Sequence, residues 1–340
     1  MTTRLMAGCA QKRKAAARIA IAAAGLMIAS VSLSAAALEP TLDRAAWGSN
    51  HVGRLLPEFI SGDECLFCHR VSIGPAWTKN RHQSTVRLVE FDPSARQGLK
   101  SSKLPESLIK EVEFALGRTN QWRWLKRSEA YGHLDLLSAR TDPAGSAAKP
   151  PSEHVAPHWD TRAFAARCAG CHATGVDSRT GAFAATSIDC FACHGDASLE
   201  HTKDTSGILL ARKRNDPARV VASICGSCHI RSGRSRSTGR PFPNNFVPGD
   251  NLFQDFAVNF SNAAIGKLNP IDRHVLLNVR DMVEHGRQEV TCLSCHSVHR
   301  SSTAGHQRQP RGEICWTCHD RERETLLPNG SKTLGTVCDE

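Results

Sequence analysis

Aromatic side chains make up only 6% of this 340-residue chain, and Tyr131 is the single tyrosine. That is thin material for the interior of one or two domains, so something other than side chains is expected to fill it. Methionine is equally scarce: beyond residue 27 there is only Met282. Acidic residues are missing from the first 38 positions. After those positions there is no second apolar run long enough to span a bilayer as a helix.

The acid-free N-terminus has the order of an export signal. Arg4, Lys12, Arg13, Lys14 and Arg18 form a basic segment, residues 19–33 are apolar and rich in Ala, and Ala35-Ala36-Ala37 gives a small-residue cleavage site. The expected organisation is a cleaved signal over residues 1–37 and one domain over 38–340. The alternative is an uncleaved anchor, since residues 19–38 are about long enough to span. Five of the positive charges lie in the signal, so the formal +10 falls to +5 on the remainder. That residual basicity makes no case for nucleic acid as a partner.

What the chain has in quantity is cysteine, 14 residues in all. Twelve of them fall in six copies of one pattern, C-x-x-C-H. The copies run from Cys65 through Cys68 to His69, from Cys168 through Cys171 to His172, and from Cys190 through Cys193 to His194. They continue from Cys225 through Cys228 to His229, from Cys292 through Cys295 to His296, and from Cys315 through Cys318 to His319. Two thiols at this spacing add across the two vinyl groups of one haem, and the adjacent His is then held beneath the iron. Zinc ribbons need two Cys pairs per ion and give no reason for a His after every pair. Six haem c groups, with iron bound by the motif histidines, are therefore the expected cofactors. Their propionates would move the assembled protein towards neutrality or below. Of the other two cysteines, Cys9 lies in the signal. Cys338, near the C-terminus, is a free thiol or one half of an intermolecular disulfide.

The second axial ligand of each haem must come from elsewhere. With one Met available, Met/His ligation is open to at most one haem, and ligation by two histidines becomes the default. Ten histidines lie outside the motifs: His51, His82, His133, His154, His158, His201, His274, His285, His299 and His306. His299 follows His296 by three residues and is expected to serve a neighbouring haem, as is His201 after His194. His82 falls on an expected helix over residues 77–86, and His285 on another over 272–286. His154 and His158 flank the approach to the second motif, and one of them is expected to ligate.

The motifs are unevenly spread. The first stands alone, the second and third are close, and the fifth and sixth form another close pair. The long first gap contains a helical pattern over residues 106–116. A hairpin follows, from the alternating stretch 121–126 through Tyr131-Gly132 into 134–137. Residues 230–280 open on a basic loop with Arg231, Arg234, Arg236 and Arg240, either solvated or paired with propionates or an acidic partner. The expected fold is mainly α with much irregular structure and one small β-hairpin, organised around six covalent haems.

Several stretches together resemble the multihaem c-type cytochromes related to the tetrahaem electron acceptor of hydroxylamine oxidoreductase. Trp77-Thr78-Lys79-Asn80-Arg81-His82 is similar to that family's Trp-x-x-Ser-x-His element, with Asn80 in place of Ser. Cys193-His194-Gly195 leading to His201 is also similar. So are Phe246-Val247-Pro248-Gly249-Asp250-Asn251-Leu252 and the region from Met282 through Val290-Thr291-Cys292 to His299. His285 departs from the pattern. The resemblance implies a periplasmic or extracellular electron carrier with redox proteins as donor and acceptor, compatible with membrane association and with oligomerisation. The rival is an oxidoreductase acting on a small nitrogen or sulfur compound at a five-coordinate haem. A catalytic haem modified by Tyr is not expected, because Tyr131 is far in sequence from every motif, and no C-x-x-C-K variant is present. A third reading is a unit of a membrane-spanning conduit or an extracellular filament.

Overall fold

The computed structural model describes residues 61–117, 121–141, 155–177, 180–195, 197–243 and 245–299. Helices and small antiparallel sheets share the described residues, so the expected mainly α chain with one hairpin is corrected to a mixed one. The hairpin is present, as β3 (Trp122–Arg127) paired with β4 (Leu134–Thr141). It is the centre of a larger sheet. Strands β1 (Val86–Leu88), β2 (Phe114–Leu116) and β5 (Trp159–Asp160) extend it in the order β1-β2-β3-β4-β5.

Two helical expectations yield to this sheet. The helix expected over 106–116 stops at Glu111, and Phe114, Ala115 and Leu116 become a fully buried strand between β1 and β3. The helix expected over 77–86 is a single turn, Gly74–Trp77, followed by turns and then β1. Residues 106–116 carry apolar residues at spacings that fit a helix, but pairing with β1 and β3 satisfies the backbone of Phe114–Leu116 and buries both of its faces.

The two faces of the sheet do different work. Trp122 and Trp124 stack in parallel, 5.6 Å between ring centroids, and pack with Ala115, Leu137, Ala139 and the helix Pro93–Ser101. Phe114, Leu125, Leu134 and Leu136 point the other way, onto Phe164, Ala169, Ala173, Val176 and Phe183. That second face is the floor on which the second Cys-His motif sits. Directly after His172 the chain forms a second hairpin, β6 (Ala173–Val176) with β7 (Phe183–Thr186), which delivers it to the third motif. Gly132, at φ +71°, lies against this hairpin; a Cβ there would come within 2.9 Å of the Phe183 carbonyl oxygen.

A separate core holds the fourth motif. The helix Ala218–His229 packs against the helix Pro270–Val283, with Leu252, Phe256, Ile265 and Met282 between them. The second helix starts at the Asn269 cap, whose side chain accepts from the Asp272 amide at 2.9 Å, with Pro270 in the first turn. It ends at Val283, short of the expected 286. The basic loop folds as β8 (Gly233–Ser235), paired with β9 (Phe256–Val258). Among the described residues no helix is long and apolar enough to cross a membrane.

Candidate haem centres

The C-x-x-C-H spacing has a helical explanation. Positions i, i+3 and i+4 fall on one face of a helix, so both thiols and the imidazole point the same way. The first motif lies on the helix Gly62–His69 and the fourth ends the helix Ala218–His229. The second, third and fifth occupy single turns, Ala169–His172, Phe191–His194 and Cys292–Cys295. In these three the His amide donates to the carbonyl of the first Cys at 3.0, 2.9 and 2.9 Å.

Three of these proximal imidazoles face a histidine from a distant part of the chain. His69 faces His201, with centroids 5.9 Å apart and 8° between planes. His194 faces His299 at 5.8 Å and 36°, and His229 faces His82 at 6.2 Å and 72°. A metal–imidazole nitrogen bond is about 2 Å, so two imidazoles on opposite sides of one ion hold their centroids roughly 6 Å apart. The three pairs have that separation. In each the second histidine faces a motif other than the one nearest to it in sequence. His201 follows the third motif but faces the first, and His299 follows the fifth but faces the third. His82 follows the first but faces the fourth.

One ring nitrogen is occupied in several of these histidines. Nδ1 of His201 lies 2.7 Å from the Ser198 carbonyl, Nδ1 of His194 lies 2.6 Å from the Leu209 carbonyl, and Nδ1 of His82 lies 3.2 Å from Oδ1 of Asn80. Each partner is an acceptor, so Nδ1 carries the proton and Nε2 keeps its lone pair. Burial pushes the His194 imidazole below its ordinary pKa, and His69 and His201 push it the same way, against the Leu209 carbonyl. Burial also lowers His299, helped by His194 and His69, and lowers His172, helped by Arg231. Neutral imidazole is the form that binds metal.

Thiols of different motifs also lie close. A hydrogen bond joins Cys65 and Cys190, lowering the first to about 7 and raising the second. The Cys171 thiol is raised by its hydrogen bond to Cys228, and Cys225 by its bond to Cys292. Burial, helped by Cys228, pushes Cys193 up to about 12. Burial likewise raises Cys168, whereas Cys68 is exposed. Motifs one and three, two and four, and four and five are thereby neighbours in space. Cys295, the remaining described motif cysteine, is half-buried in the fifth turn.

Polar residues that the sequence reading passed over hold these motifs together. The Asp189 carboxylate accepts from the Gly62 amide at 2.8 Å and from the Cys190 amide at 2.6 Å, pinning the first motif's helix to the third motif. Thr174 receives the Asp189 amide at 2.9 Å and donates to the Ser187 carbonyl at 2.8 Å. Ser187 exchanges hydrogen bonds of 2.9 and 3.0 Å with the Val86 backbone, and its amide donates to the His172 carbonyl at 2.8 Å. Short polar side chains beside a Cys carried no motif of their own. The signal that could have found Asp189 is its position directly before Cys190.

Other expected ligands stand differently. His158 is engaged by Ser138 and the Ala156 carbonyl, at 3.3 and 3.0 Å from Nδ1. His285 lies beyond the end of its helix, 3.9 Å from the Asp281 carboxylate. His154 and the sixth motif, Cys315, Cys318 and His319, lie outside the described residues, as do His51 and His306. Three arginines of the basic loop donate to backbone carbonyls, one within the loop and two outside it. Arg236 donates to the Gln254 carbonyl at 2.7 Å, Arg234 to Gly239 at 2.5 Å and Arg240 to Ala165 at 3.5 Å. Around the second motif stand Arg123, Arg167 and Arg231, and the buried Nε of Arg123 makes no hydrogen bond.

The paired imidazoles, their protonated Nδ1 atoms and the co-facing thiols fit covalent haem. The comparisons agree. The model for cytochrome c554 and c-prime matches residues 117–195, spanning the second and third motifs. The model for a doubled CXXCH motif matches residues 285–324, spanning the fifth and sixth. In these two regions the chain is similar to multihaem c-type cytochromes. A solved undecaheme cytochrome from the S-layer of Carboxydothermus ferrireducens is similar at 19% identity and TM-score 0.44, over 79% of this chain. This chain spans 44% of that structure's length.

Proposed function

We propose that this protein carries electrons outside the cytoplasm through six covalently bound haems, most of them held between two histidines. The observation that carries the reading is the set of three imidazole pairs, His69 with His201, His194 with His299 and His229 with His82. The twelve motif cysteines would form the thioethers and the six motif histidines the proximal bonds. Bound haem iron supplies one-electron exchange between its ferrous and ferric forms.

The chain's own residues do the rest. They hold both axial nitrogens at fixed separation, so little rearrangement accompanies a change of charge. The carbonyls of Ser198 and Leu209 keep Nδ1 protonated and make Nε2 more basic, which favours the oxidised form and a low potential. The partners implied are redox proteins, and the N-terminal leader supports a periplasmic location. The test is a pyridine haemochrome assay with EPR on the purified, matured protein. Six haems per chain with low-spin signals are expected; substantially fewer would sink the proposal.

A second reading has one specific observation behind it. Arg123, Arg167 and Arg231 surround the second motif, and the Arg123 Nε is buried without a hydrogen bond. That cationic setting suits a small nitrogen or sulfur anion at the haem of His172. Carbon monoxide or nitric oxide binding by the reduced wild-type protein, weakened in Arg123→Gln, would favour it over a pure carrier.

A further inference from the structure

The side chain of Asn80 is fully buried, at 0% exposure, in the turn that follows Trp77. Its Oδ1 accepts from the backbone amide of His82 at 2.9 Å and lies 3.2 Å from Nδ1 of the same residue. Its Nδ2 donates to the Val298 carbonyl, one residue before His299. Both backbone partners have fixed roles, an N–H and a C=O, so the amide can be oriented only one way. His82 and His299 face different motif histidines, His229 and His194. One carboxamide therefore touches the distal-ligand segments of two haem centres. The same turn supplies a second contact: the Trp77 ring meets His299 edge-on at 6.3 Å and 83°, and the Asn80 amide donates to the Trp77 carbonyl at 2.8 Å.

We propose that Asn80 is a shared positioning residue, setting the orientation of the second axial histidine at both the third and the fourth haem. The proposal rests on the reading of His82 and His299 as iron ligands. Its logic is one of hydrogen-bond inventory. An amide offers a donor on one side and an acceptor on the other, and this site uses both. Serine, which the resembling family carries here, has a short hydroxyl that can still accept from the amide two residues on but cannot span to Val298. Aspartate keeps the acceptor and sets a second oxygen against the Val298 carbonyl. The chain's departure from the family at this position thus adds a link between two centres that a serine does not make.

The test uses the holoprotein with EPR, potentiometry and carbon monoxide titration. His82→Met and His299→Met first assign the two low-spin signals. Asn80→Leu is expected to alter the g-values of both assigned haems and raise both midpoint potentials, with extra carbon monoxide bound at those sites. Asn80→Ser is expected to alter the haem of His299 and to leave the haem of His82 near wild type. Unchanged signals at both haems in Asn80→Leu overturn the proposal, as does an Asn80→Ser protein that changes only at the haem of His82. If Asn80→Leu does not accumulate, Asn80→Ser alone decides. Failure of the underlying reading looks different: His82→Met or His299→Met would then leave every low-spin signal of the protein unchanged.

Discussion

The rings of His69 and His201 lie nearly parallel, 8° apart, with centroids separated by 5.9 Å. This pair stands apart by the width of an ion bound on both sides, and the Ser198 carbonyl 2.7 Å from Nδ1 holds the second ring in place.

Replacing His201 should leave one iron without its distal nitrogen. His201→Ala is expected to convert one low-spin EPR signal to high spin and to add a carbon monoxide site, with the haem count unchanged. His201→Met should keep that iron low-spin and raise its potential. A wild-type spectrum for both variants would remove His201 from the ligand set.

The Asp189 carboxylate joins two motifs, so its loss should loosen both. Asp189→Ala leaves the Gly62 and Cys190 amides without their acceptor and should cost about 1–3 kcal/mol for each group left unsatisfied. A Cβ at Gly62 would lie 1.9 Å from the Asp189 carboxylate oxygen, so Gly62→Ala should cost roughly 1–3 kcal/mol through overpacking. Thermal unfolding of the holoproteins, followed in the Soret band, measures both. The two effects should be less than additive, because they disturb one contact.

Trp124 is completely buried on the face of the sheet turned away from the motifs, and its Nε1 donates to Oγ1 of Thr141 at 3.0 Å. Trp124→Ala should destabilise by about 3–5 kcal/mol. The low-spin spectrum of the folded variant should nevertheless match the wild type. Loss of a distal ligand in Trp124→Ala at low temperature would show that this face does more than support.

Asp92 gives the sheet region an acid-sensitive joint. Burial opposes its charge, but the Ala95 amide and the Arg87 guanidinium outweigh that and hold its carboxyl below the usual value. A carboxyl depressed in the folded state binds its proton more readily once unfolded. Its contribution is therefore present above the unfolded value of about 4 and is lost as pH falls through the folded one. Asp92→Asn should be less stable than wild type at neutral pH, and the gap should close below about pH 4. Denaturant midpoints across that range measure it; a gap independent of pH would contradict the assignment.

The six C-x-x-C-H motifs were legible because their chemistry is local. Two thiols and an imidazole at i, i+3 and i+4 need only one helical turn to converge, and one turn is what the second, third and fifth motifs have. His82, His201 and His299 were legible as candidates by count and position. The supposed helix under His82 was not, since residues 86–88 pair with Phe114–Leu116 instead. The five-stranded sheet was read only as its central hairpin, because β1, β2 and β5 are two or three residues long and have no periodicity of their own. Asp189 and Ser187 escaped notice, and Asn80 stood out only as a departure from a motif, because a short polar side chain gains its role from partners that are remote in sequence.

By itself the sequence determined where the C-x-x-C-H motifs stand, since thioether chemistry is written in residues at most four apart. Only the tertiary structure decided which histidine faces which motif. His201 crosses back to the first motif, His299 to the third and His82 to the fourth, because such pairing depends on distance in space. That distance is fixed by sheet pairing, by the helix packing around Ala218–His229 and by single polar contacts such as Asn80 to Val298.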